Sequence, residues 1–505
     1  MKKLLFLFFA IINFFSLNFL HSQKYVYNKL YGGVGYDDIR SLVVNNNGEA
    51  IFTGLTKSGK DTAGNVYITK VDKLGNVIFH REYGRLNEDG GNGLLKTSDN
   101  GFLICGHTAL PNVGEECDAL VTKLDSNFNQ EWQVTLGDSL DETCYQAVEM
   151  EDKSLWIVGV EHNELNNKRK GLIFHLKSDG NFLGADKLSA PQNNLFANRI
   201  YHSTDSNLLV SGIFPGNYLV NQNDPGGRSY TALNSFYAKI DPRIENNSNY
   251  LSFHSAWYAD HSNNKQCGIL ELPLTNRIMV YGTHNNKYTG LDSIDIGQLW
   301  IDVYKSNGVK DASFDDPFVG SSVGGVIRDA ALAEDGTIYL VGDFYDFNSS
   351  KYSAFYLVLN SDLLIEAWGA IPINYQASVN CIALGKNYDI FIGGRQWDSY
   401  GESQMLLVHV FPFSQPTATN SVTNNNVELY PNPCNQNVFI KFNNFNELKS
   451  IQLFNLEGKT VLSQQIKVGE NSINTSSLEE GIYIYKCRLS NEKIVTGKLV
   501  IQKSY

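Results

Sequence analysis

Three acidic residues occupy the same position in a repeated pattern of the chain. Asp37, Asp89 and Glu142 each lie five residues after a glycine that ends a repeat, namely Gly32, Gly84 and Gly137. Carboxylates that share one face of a fold can bind a cation or a sugar, or act together as a general acid and base. The sequence leaves their separation open, and the same acids can instead cap turns between repeats.

Polar residues follow on the strands that begin at these acids. The strands predicted to lie innermost in each repeat carry Arg40, Asn92, Tyr145, Asn198 and Arg328. With the three acids, these residues predict a polar, partly acidic mouth on a central channel, suited to a cation or a sugar.

Other motifs predict no catalytic residue, no cofactor and no metal site. Residues 320–324 read G-S-S-V-G, but a nucleophile elbow requires a strand before it and a helix after it, and this segment joins two repeats. The loop at Asp125 begins like a calcium loop but has Gln130 in place of the turn glycine. Enzymatic activity is left open, with a non-catalytic protein favoured.

A hairpin pattern recurs seven times, and its period of about 50 residues is typical of a repeat architecture. The segments IFTG, LICG, WIVG, LVSG, MVYG, YLVG and IFIG end at Gly54, Gly106, Gly159, Gly212, Gly282, Gly342 and Gly393. Each follows a turn rich in Asn, Asp or Gly and precedes a third strand, and the first repeats continue into a fourth.

Four short strands per repeat predict the blades of a β-propeller. The central strands are apolar at consecutive positions, as expected when both faces of a sheet are buried. The seventh repeat stops at MLLVHVFPF without a fourth strand, and KYVYNKLYG at 24–32 can supply it. We therefore predict an all-β chain with a seven-bladed propeller over residues 23–412, closed by its N-terminal strand.

Composition and the N-terminus narrow the functional classes. The chain has 505 residues and a net charge of -12, without a basic cluster, so nucleic acid is not an expected partner. Residues 1–22 have the layout of a secretory signal peptide, and a retained membrane helix is the competing interpretation. No transmembrane helix is expected in the mature chain.

The seven cysteines are dispersed along the chain, which argues against a disulfide scaffold. One disulfide bridge remains possible, for example between Cys117 and Cys144.

The C-terminal part changes in character. Residues 413–426 are polar and read as a linker, and 427–505 contain alternating strands sufficient for a small β-sandwich of the immunoglobulin-like kind. Their ordered motifs are Tyr430, Pro431, Asn432 and Pro433, then Asn455, Gly458 and Lys459, then Gly481 and Tyr483, and finally Lys498.

On these residues the tail closely resembles the type A C-terminal sorting domain of the type IX secretion system. The resemblance implies that the general secretory machinery and the type IX outer-membrane translocon are partners. It also implies removal of the tail and delivery to the cell surface or the medium. The repeats, with DGG-like turns and YGG ends, resemble propeller repeats of exported proteins from Bacteroidetes-type bacteria.

These observations predict a secreted or surface-displayed binding or adhesion protein without catalytic activity. Aromatic residues in the loops could stack on a glycan or a peptide: Tyr218, Tyr230, Tyr288 and Trp397. The alternative is an exported polysaccharide hydrolase or lyase that uses the carboxylates at the channel mouth.

Overall fold

The chain is organised as two compact units of β-strands, Met1–Phe413 and Ser414–Tyr505. The computed structural model describes residues 25–501 apart from 59–63, 84–87, 110–116, 139, 164–167, 189–194, 218–230, 243–263, 286–296, 315–324, 347–350, 372, 374–375, 387–388, 398–400, 411–427, 431–433, 442–447, 456–458, 467–471 and 490–493. The predicted signal peptide and linker lie outside the described residues, as do Tyr218, Tyr230 and Tyr288. Among the described residues, no helix has the length and apolar character needed to span a membrane.

Antiparallel sheets of consecutive strands make up the first unit. Strand β1 (Tyr25–Tyr31) precedes sheet 1, which contains β2 (Asp37–Val44), β3 (Ala50–Thr56), β4 (Asn65–Val71) and β5 (Val77–Tyr83). Sheet 2 contains β6 (Asp89–Lys96), β7 (Phe102–Ala109), β8 (Cys117–Leu124) and β9 (Gln130–Leu136). Sheet 3 contains β10 (Asp141–Glu149), β11 (Leu155–Asn163), β12 (Lys168–Leu176) and β13 (Phe182–Leu188).

The remaining sheets of this unit continue the pattern. Sheet 4 contains β14 (Phe196–His202), β15 (Leu208–Asn217) and β16 (Thr231–Ile240). Sheet 5 contains β17 (Asn264–Leu272), β18 (Arg277–Asn285) and β19 (Gly297–Lys305), with a 3-10 helix at Pro273–Thr275 between the first two. Sheet 6 contains β20 (Val326–Leu332), β21 (Ile338–Asp346), β22 (Lys351–Leu359) and β23 (Ile365–Ala370). Sheet 7 contains β24 (Ala377–Leu384), β25 (Ile390–Trp397) and β26 (Ser403–Val410).

Strand β1 is the outer strand of sheet 7. It pairs antiparallel with β26, so that Asn28 faces Val408 and Tyr31 faces Met405. The ring of Tyr27 meets the His409 ring edge-on at 5.2 Å between centroids. The edge of β26 is therefore covered by a strand from the other end of the unit.

The first strands of the sheets surround one axis. β2 contacts β6, β6 contacts β10, and the contacts continue through β14, β17, β20 and β24 back to β2. Apolar clusters fill the spaces between neighbouring sheets, for example Phe52 and Tyr67 of sheet 1 against Phe391 and Leu407 of sheet 7. Burial on both faces explains the continuous apolar runs, and β3 is buried at every position. Each large apolar side chain buried in this way stabilises the fold by about 1.5–3 kcal/mol.

A β-bulge and a glycine form one device that recurs in the sheets. In sheet 1 the register of β2 against β3 shifts between Ile39 and Ser41, where Arg40 is the extra residue. The bulge brings the carbonyl oxygen of Asp38 so close to Gly54 that a Cβ there would overlap it. The glycines of sheets 2, 4, 6 and 7 meet the equivalent carbonyls of Gly90, Phe196, Val326 and Ser378. The recurring glycine is thus required by the bulge on the neighbouring strand.

In sheet 7 the prediction of Gly393 as the recurring glycine is wrong by one residue. Val379 pairs with Gly394, and the bulge follows immediately, so Gly394 holds the position that the sequence pattern assigned to Gly393. Gly393 instead lies against the side chains of Ile39 and Leu42 in sheet 1. Because Gly393 and Gly394 are adjacent, the sequence pattern did not determine which of the two lies opposite the bulge.

Tight turns close the hairpins at the end of the sheets opposite to Asp37. In the turn from Asp72 to Asn76, the Asp72 N–H donates to Asn76 O at 2.9 Å and Gly75 adopts a φ of +74°. The turn from Asp125 to Asn129 has the same bonds, with Phe128 at +64°. Packing holds Phe128 in this unfavourable conformation, since its ring stacks on Phe79 at 4.7 Å and on Phe102 at 5.1 Å.

The second unit has two small antiparallel sheets. One contains β27 (Glu428–Tyr430), β28 (Asn437–Lys441) and β31 (Ser472–Asn474). The other has the order β30 (Thr460–Gln465), β29 (Leu448–Phe454), β32 (Gly481–Leu489) and β33 (Ile494–Ile501). Buried residues from both sheets, including Val438, Ile440, Ile451, Leu453 and Leu499, form a single core.

Six cysteines are free thiols. Cys105, Cys144, Cys381, Cys434 and Cys487 are buried and Cys117 is half-buried. The bridge between Cys117 and Cys144 that the sequence left open is not formed. Burial raises the pKa of the Cys105 thiol to about 12, which keeps it protonated and unreactive.

The bulge device predicts an unequal effect of two Gly→Ala substitutions. Gly106→Ala places a Cβ against the backbone of Gly90 and Gly91, which a side-chain movement cannot relieve. We expect the free energy of unfolding to fall by about 2–3 kcal/mol, measured by urea denaturation. Gly184→Ala in β13 is the control, since a Cβ there meets nothing within 4 Å, and we expect a change below about 0.5 kcal/mol. Equal effects of the two changes would contradict the bulge explanation.

Candidate functional site

The first of the predicted acids is a buried cap. Asp37 is 0% exposed, and its Oδ1 accepts from the Thr56 hydroxyl at 2.6 Å and from the Ser58 hydroxyl at 3.0 Å. Its Oδ2 accepts from the Gly33 N–H at 3.1 Å. These bonds tie the connection from β1 to β2 onto the end of the β2–β3 hairpin. This is the turn-capping role that the sequence left open.

The second acid occupies an equivalent place. Asp89 begins β6, is 2% exposed and faces Thr108 across the hairpin, as Asp37 faces Thr56. Its backbone N–H donates to Gly64 O at 3.0 Å. Both junctions therefore combine an aspartate with a threonine.

The polar residues three positions further lie at the bulges and line the axis. Arg40, Asn92, Tyr145, Asn198 and Arg328 are each the extra residue of a bulge, and each is half-buried. Asn380 of sheet 7 belongs to the same set and was missed by sequence reasoning. Counting 14 residues back from Gly394 would have found it, as the same count from Gly54 finds Arg40.

Side chains at the bulges connect each sheet to the next. Arg40 Nη1 donates to Asn92 Oδ1 at 2.9 Å, and Asn92 Nδ2 donates to the Cys144 carbonyl at 2.9 Å. Asn380 Nδ2 donates to the Ile39 carbonyl at 2.8 Å. The three bonds join sheets 7, 1, 2 and 3. The side chains of Arg40, Asn92 and Asn380 are therefore occupied by hydrogen bonds within the fold.

Tyr145 and Arg328 are also occupied by neighbours. The Tyr145 ring lies 5.1 Å from the Phe196 ring of the next sheet, and burial raises the pKa of Tyr145 to about 12. Arg328 Nε donates to Asp343 Oδ2 at 2.8 Å, and Asp343 also accepts from the Ser378 hydroxyl of sheet 7 at 2.8 Å.

A further contact reaches across the axis. Arg199, next to the bulge of β14, donates from Nη2 to the Arg328 carbonyl at 3.0 Å and lies 3.5 Å from Asp329 Oδ1. These groups belong to sheets 4 and 6, so the contact passes over sheet 5. Burial raises the pKa of Asp329 against the opposing effect of the Arg199 guanidinium. The axis is occupied here by a buried polar contact.

The third predicted acid has different neighbours. Glu142 faces Glu161 across the hairpin, where the two preceding junctions have an aspartate and a threonine. Carboxylate oxygens of Asp138, Glu142 and Glu161 lie within 4.8 Å of one another. Glu142 and Glu161 are each 2% exposed, whereas Asp138 is exposed. We call these three residues the acid cluster. Sequence reasoning missed Glu161, which lies two residues after Gly159, where Thr56 follows Gly54.

The acid cluster separates the pKa values of two buried carboxyls. Burial, and then the Asp138 carboxylate, raises the pKa of Glu142 to about 8. Burial also disfavours the charge of Glu161, but Lys170 at 2.8 Å and Lys187 overcome this and lower its pKa. At neutral pH, Glu142 therefore carries a proton beside an ionised Glu161. Such a pair can transfer a proton to and from a ligand.

The described sorting residues of the tail lie at turns and strands of the second unit. Tyr430 ends β27, and Lys498 lies in β33 opposite Ile484. Asn455 and Lys459 close one turn, in which the Lys459 N–H donates to Asn455 Oδ1 at 2.9 Å. Gly481 begins β32, and the Tyr483 hydroxyl donates to the Glu479 carbonyl at 2.9 Å. Pro431, Asn432, Pro433 and Gly458 lie outside the described residues.

Comparison with known proteins identifies the tail. Residues 428–502 match the family model described as a secretion system C-terminal sorting domain. The match confirms the sorting domain predicted from the sequence and implies export by the type IX system to the cell surface or the medium. No curated protein matches the chain.

The chain is similar in structure to several solved proteins. A polysaccharide lyase of family PL25, an ulvan lyase bound to -[GlcA(1-4)Rha3S]-, is 11% identical with a TM-score of 0.50 and covers 75% of this chain and 95% of its own. A protein of unknown function from Dyadobacter fermentans is 9% identical, with a TM-score of 0.44, and covers 77% and 98%. The β-propeller domain of the Trilobed protease from Pyrococcus furiosus is 10% identical, with a TM-score of 0.41, and covers 77% and 99%. The sheets themselves make the first unit an all-β fold, and a β-propeller domain is among the solved structures similar to the chain.

The pKa of Glu142 predicts a pH-dependent effect of Glu142→Gln. Because the folded pKa of about 8 lies above the unfolded value of 4.5, the native chain retains a proton that the unfolded chain releases. The stability contributed by this group is complete below pH 4.5 and is lost as the pH rises through 8. We expect the melting temperature of Glu142→Gln to rise relative to the native chain between pH 4.5 and 9. A constant difference across this range would contradict the assignment, and the exposed Glu334→Gln change is the control.

Proposed function

We propose that this chain is exported by the type IX secretion system and acts, on the cell surface or in the medium, as a non-catalytic binding protein. The observation that carries the proposal is the sorting-domain match at residues 428–502, at the end of a chain whose larger unit has a propeller-like fold. Residues 1–22 direct the chain to the general secretory machinery, and the outer-membrane translocon recognises the tail at 427–505 and removes it. A Bacteroidetes-type bacterium is the proposed source.

The larger unit is proposed to be a seven-bladed propeller over residues 23–412 that β1 closes. The support for seven blades is the series of contacts between first strands, which runs through β2, β6, β10, β14, β17, β20 and β24 and returns to β2. The support for closure is the register of β1 against β26 in sheet 7. Closure by the N-terminal strand removes the two sheet edges that an open ring would expose.

We propose that the ligand, a glycan or a protein, binds at the end of the sheets where the first strands begin. Tight turns close the opposite end, at Asp72–Asn76 and Asp125–Asn129 among others. Side chains such as Arg40 and Asn92 are bonded to neighbouring sheets along the axis, which disfavours a ligand that passes through the channel. The connections at the first-strand end vary in length from repeat to repeat, from four residues at 164–167 to thirteen at 218–230, as is typical of binding loops on a rigid scaffold. We call this end the loop-bearing face.

Deletion of residues 427–505 tests the export route. In the native host we expect the shortened protein to accumulate in the periplasm, because the translocon no longer receives its recognition domain. Fractionation of cells followed by immunoblotting measures the distribution. A chain that lacks only residues 414–426 is the control and is expected to reach the surface. Unchanged surface delivery of the shortened protein would refute the sorting assignment.

The acid cluster supports a second candidate, an exported polysaccharide hydrolase or lyase. Its specific support is the protonated Glu142 beside the ionised Glu161, on the loop-bearing face. A protonated carboxyl and a neighbouring carboxylate are the groups that glycoside cleavage uses as acid and base. The fold is also that of a polysaccharide lyase, at a TM-score of 0.50.

Incubation with polysaccharides separates the two candidates. If the protein only binds, it should be retained on a polysaccharide without release of oligosaccharides, as measured by reducing ends and by absorbance of unsaturated products. Product release that falls by about 100-fold or more in both Glu142→Gln and Glu161→Gln would favour the enzyme, because general acid and base groups contribute factors of this size. The Glu334→Gln variant controls for non-specific loss.

A further inference from the structure

A second charged group on the loop-bearing face lies where sheets 7 and 1 meet. Arg395 lies in β25, and its guanidinium carbon is 5.1 Å from the centroid of the Tyr36 ring and 4.6 Å from that of the Trp397 ring. Cation–π contacts of this kind fix the plane of an arginine side chain. We call Tyr36, Arg395 and Trp397 the stacked arginine site.

Tyr36 and Trp397, whose rings contact Arg395, are held in place by backbone contacts. Tyr36 O accepts from the Lys57 N–H at 2.9 Å, and Tyr36 forms a bridge to Ser403 of sheet 7. The Trp397 N–H donates to Gln376 O at 2.9 Å. The backbone of both residues is thus anchored, and the Tyr36 hydroxyl donates to Asp38 Oδ2 at 3.2 Å, so the guanidinium is positioned before any ligand arrives, which lowers the entropic cost of binding.

The guanidinium retains its donors. The Arg395 side chain makes no hydrogen bond to any residue that the structure describes, and its Nε is buried without a partner. The carboxylate nearest to it is Asp38, with Oδ2 at 3.9 Å from Nη1. Asp38 already accepts from Arg40 Nε at 3.1 Å, from the Leu55 N–H at 3.2 Å and from the Tyr36 hydroxyl at 3.2 Å.

Arg328, at the same end of the sheets, is an arginine whose guanidinium has a carboxylate partner. Arg328 Nε donates to the buried carboxylate of Asp343 at 2.8 Å. Asp343 follows Gly342 in β21 as Arg395 follows Gly394 in β25, so sheet 7 places a cation where sheet 6 places an anion. Burial lowers the pKa of Arg395, and its nearest carboxylate, Asp38, lies 3.9 Å away and already accepts bonds from other donors, so an external anion is a partner that would stabilise its charge. The Arg395 side chain is 26% exposed and accessible to one.

We propose that the stacked arginine site binds the carboxylate or sulfate groups of an acidic polysaccharide. A guanidinium with a fixed plane offers two parallel N–H donors, which match the two oxygens of a uronate carboxylate or of a sulfate ester. The aromatic edges of Tyr36 and Trp397 supply an apolar border for the C–H face of a sugar ring. A net charge of -12 on the chain repels a polyanion elsewhere, which confines its binding to such a site. The proposal rests on the proposed binding function and names its ligand class.

Four probes and the native full-length chain test the ligand class. Calorimetry or affinity electrophoresis with polygalacturonate, dextran sulfate, neutral dextran and poly-L-glutamate at low salt measures the affinity for each. We expect binding to polygalacturonate or dextran sulfate that weakens as sodium chloride is added, and which of these two binds identifies carboxylate or sulfate as the group recognised. Arg395-dependent binding to poly-L-glutamate alone would overturn the polysaccharide assignment, as would equal binding to neutral dextran or binding to none of the probes.

Variants of the site test the role of Arg395 itself. Arg395→Gln is expected to weaken binding by about 10-fold to 100-fold, the factor for a lost charge-assisted bidentate contact, and Arg395→Lys by less. Arg81→Gln is the matched control, since Arg81 also lies over a ring, that of Phe79 at 5.2 Å. Unlike Arg395, Arg81 already donates a hydrogen bond from Nη1 to the Phe128 carbonyl at 2.9 Å. Unchanged melting temperatures verify folding. If a polysaccharide binds equally well to Arg395→Gln, the binding function stands and the stacked arginine site is wrong.

Discussion

The close approach of a carbonyl oxygen to a glycine is the constraint on which the first unit depends. At the bulges of sheets 1, 2, 3, 4, 6 and 7 the first strand gains a residue, and the preceding carbonyl moves over the second strand at a position where no Cβ fits. The extra residue then lies on the axis and reaches the next sheet, as Asn92 reaches the Cys144 carbonyl. One local distortion therefore selects the glycine, orients a polar side chain and connects neighbouring sheets.

The strand ends and the axis differ in which side chains they can accommodate. Along the axis Arg40, Asn92 and Asn380 bond to a neighbouring sheet, so a substitution of these residues disturbs the fold. At the junctions the pair opposite each other is Asp37 with Thr56 in one sheet and Glu142 with Glu161 in another. The same backbone geometry thus accommodates either an aspartate hydrogen-bonded to a threonine or two carboxyls of different pKa, and this freedom is where chemistry can be added to the scaffold.

Much of this organisation could be predicted from residue types alone, because a bulge that demands glycine leaves a periodic trace. The repeats were accessible for that reason, the apolar strands because burial on both faces requires a continuous apolar run, and the tail because its motifs occur in a fixed order. The acid cluster was not, since Glu161 is informative only once its register opposite Glu142 is known. The stacked arginine site was equally hidden. Tyr36 and Arg395 lie 359 positions apart (395 minus 36) and meet only because sheets 7 and 1 are neighbours.

The pairing of β1 with β26 has a consequence for how the chain folds. Asn28 and Val408 are 380 positions apart (408 minus 28), so the loop that their contact closes is nearly the whole unit. Closing so long a loop costs conformational entropy before any contact repays it, and contacts of high sequence separation form late. A chain made from its N-terminus holds β1 without this partner until β26 has appeared, so sheet 7 is the last sheet of the unit to be completed.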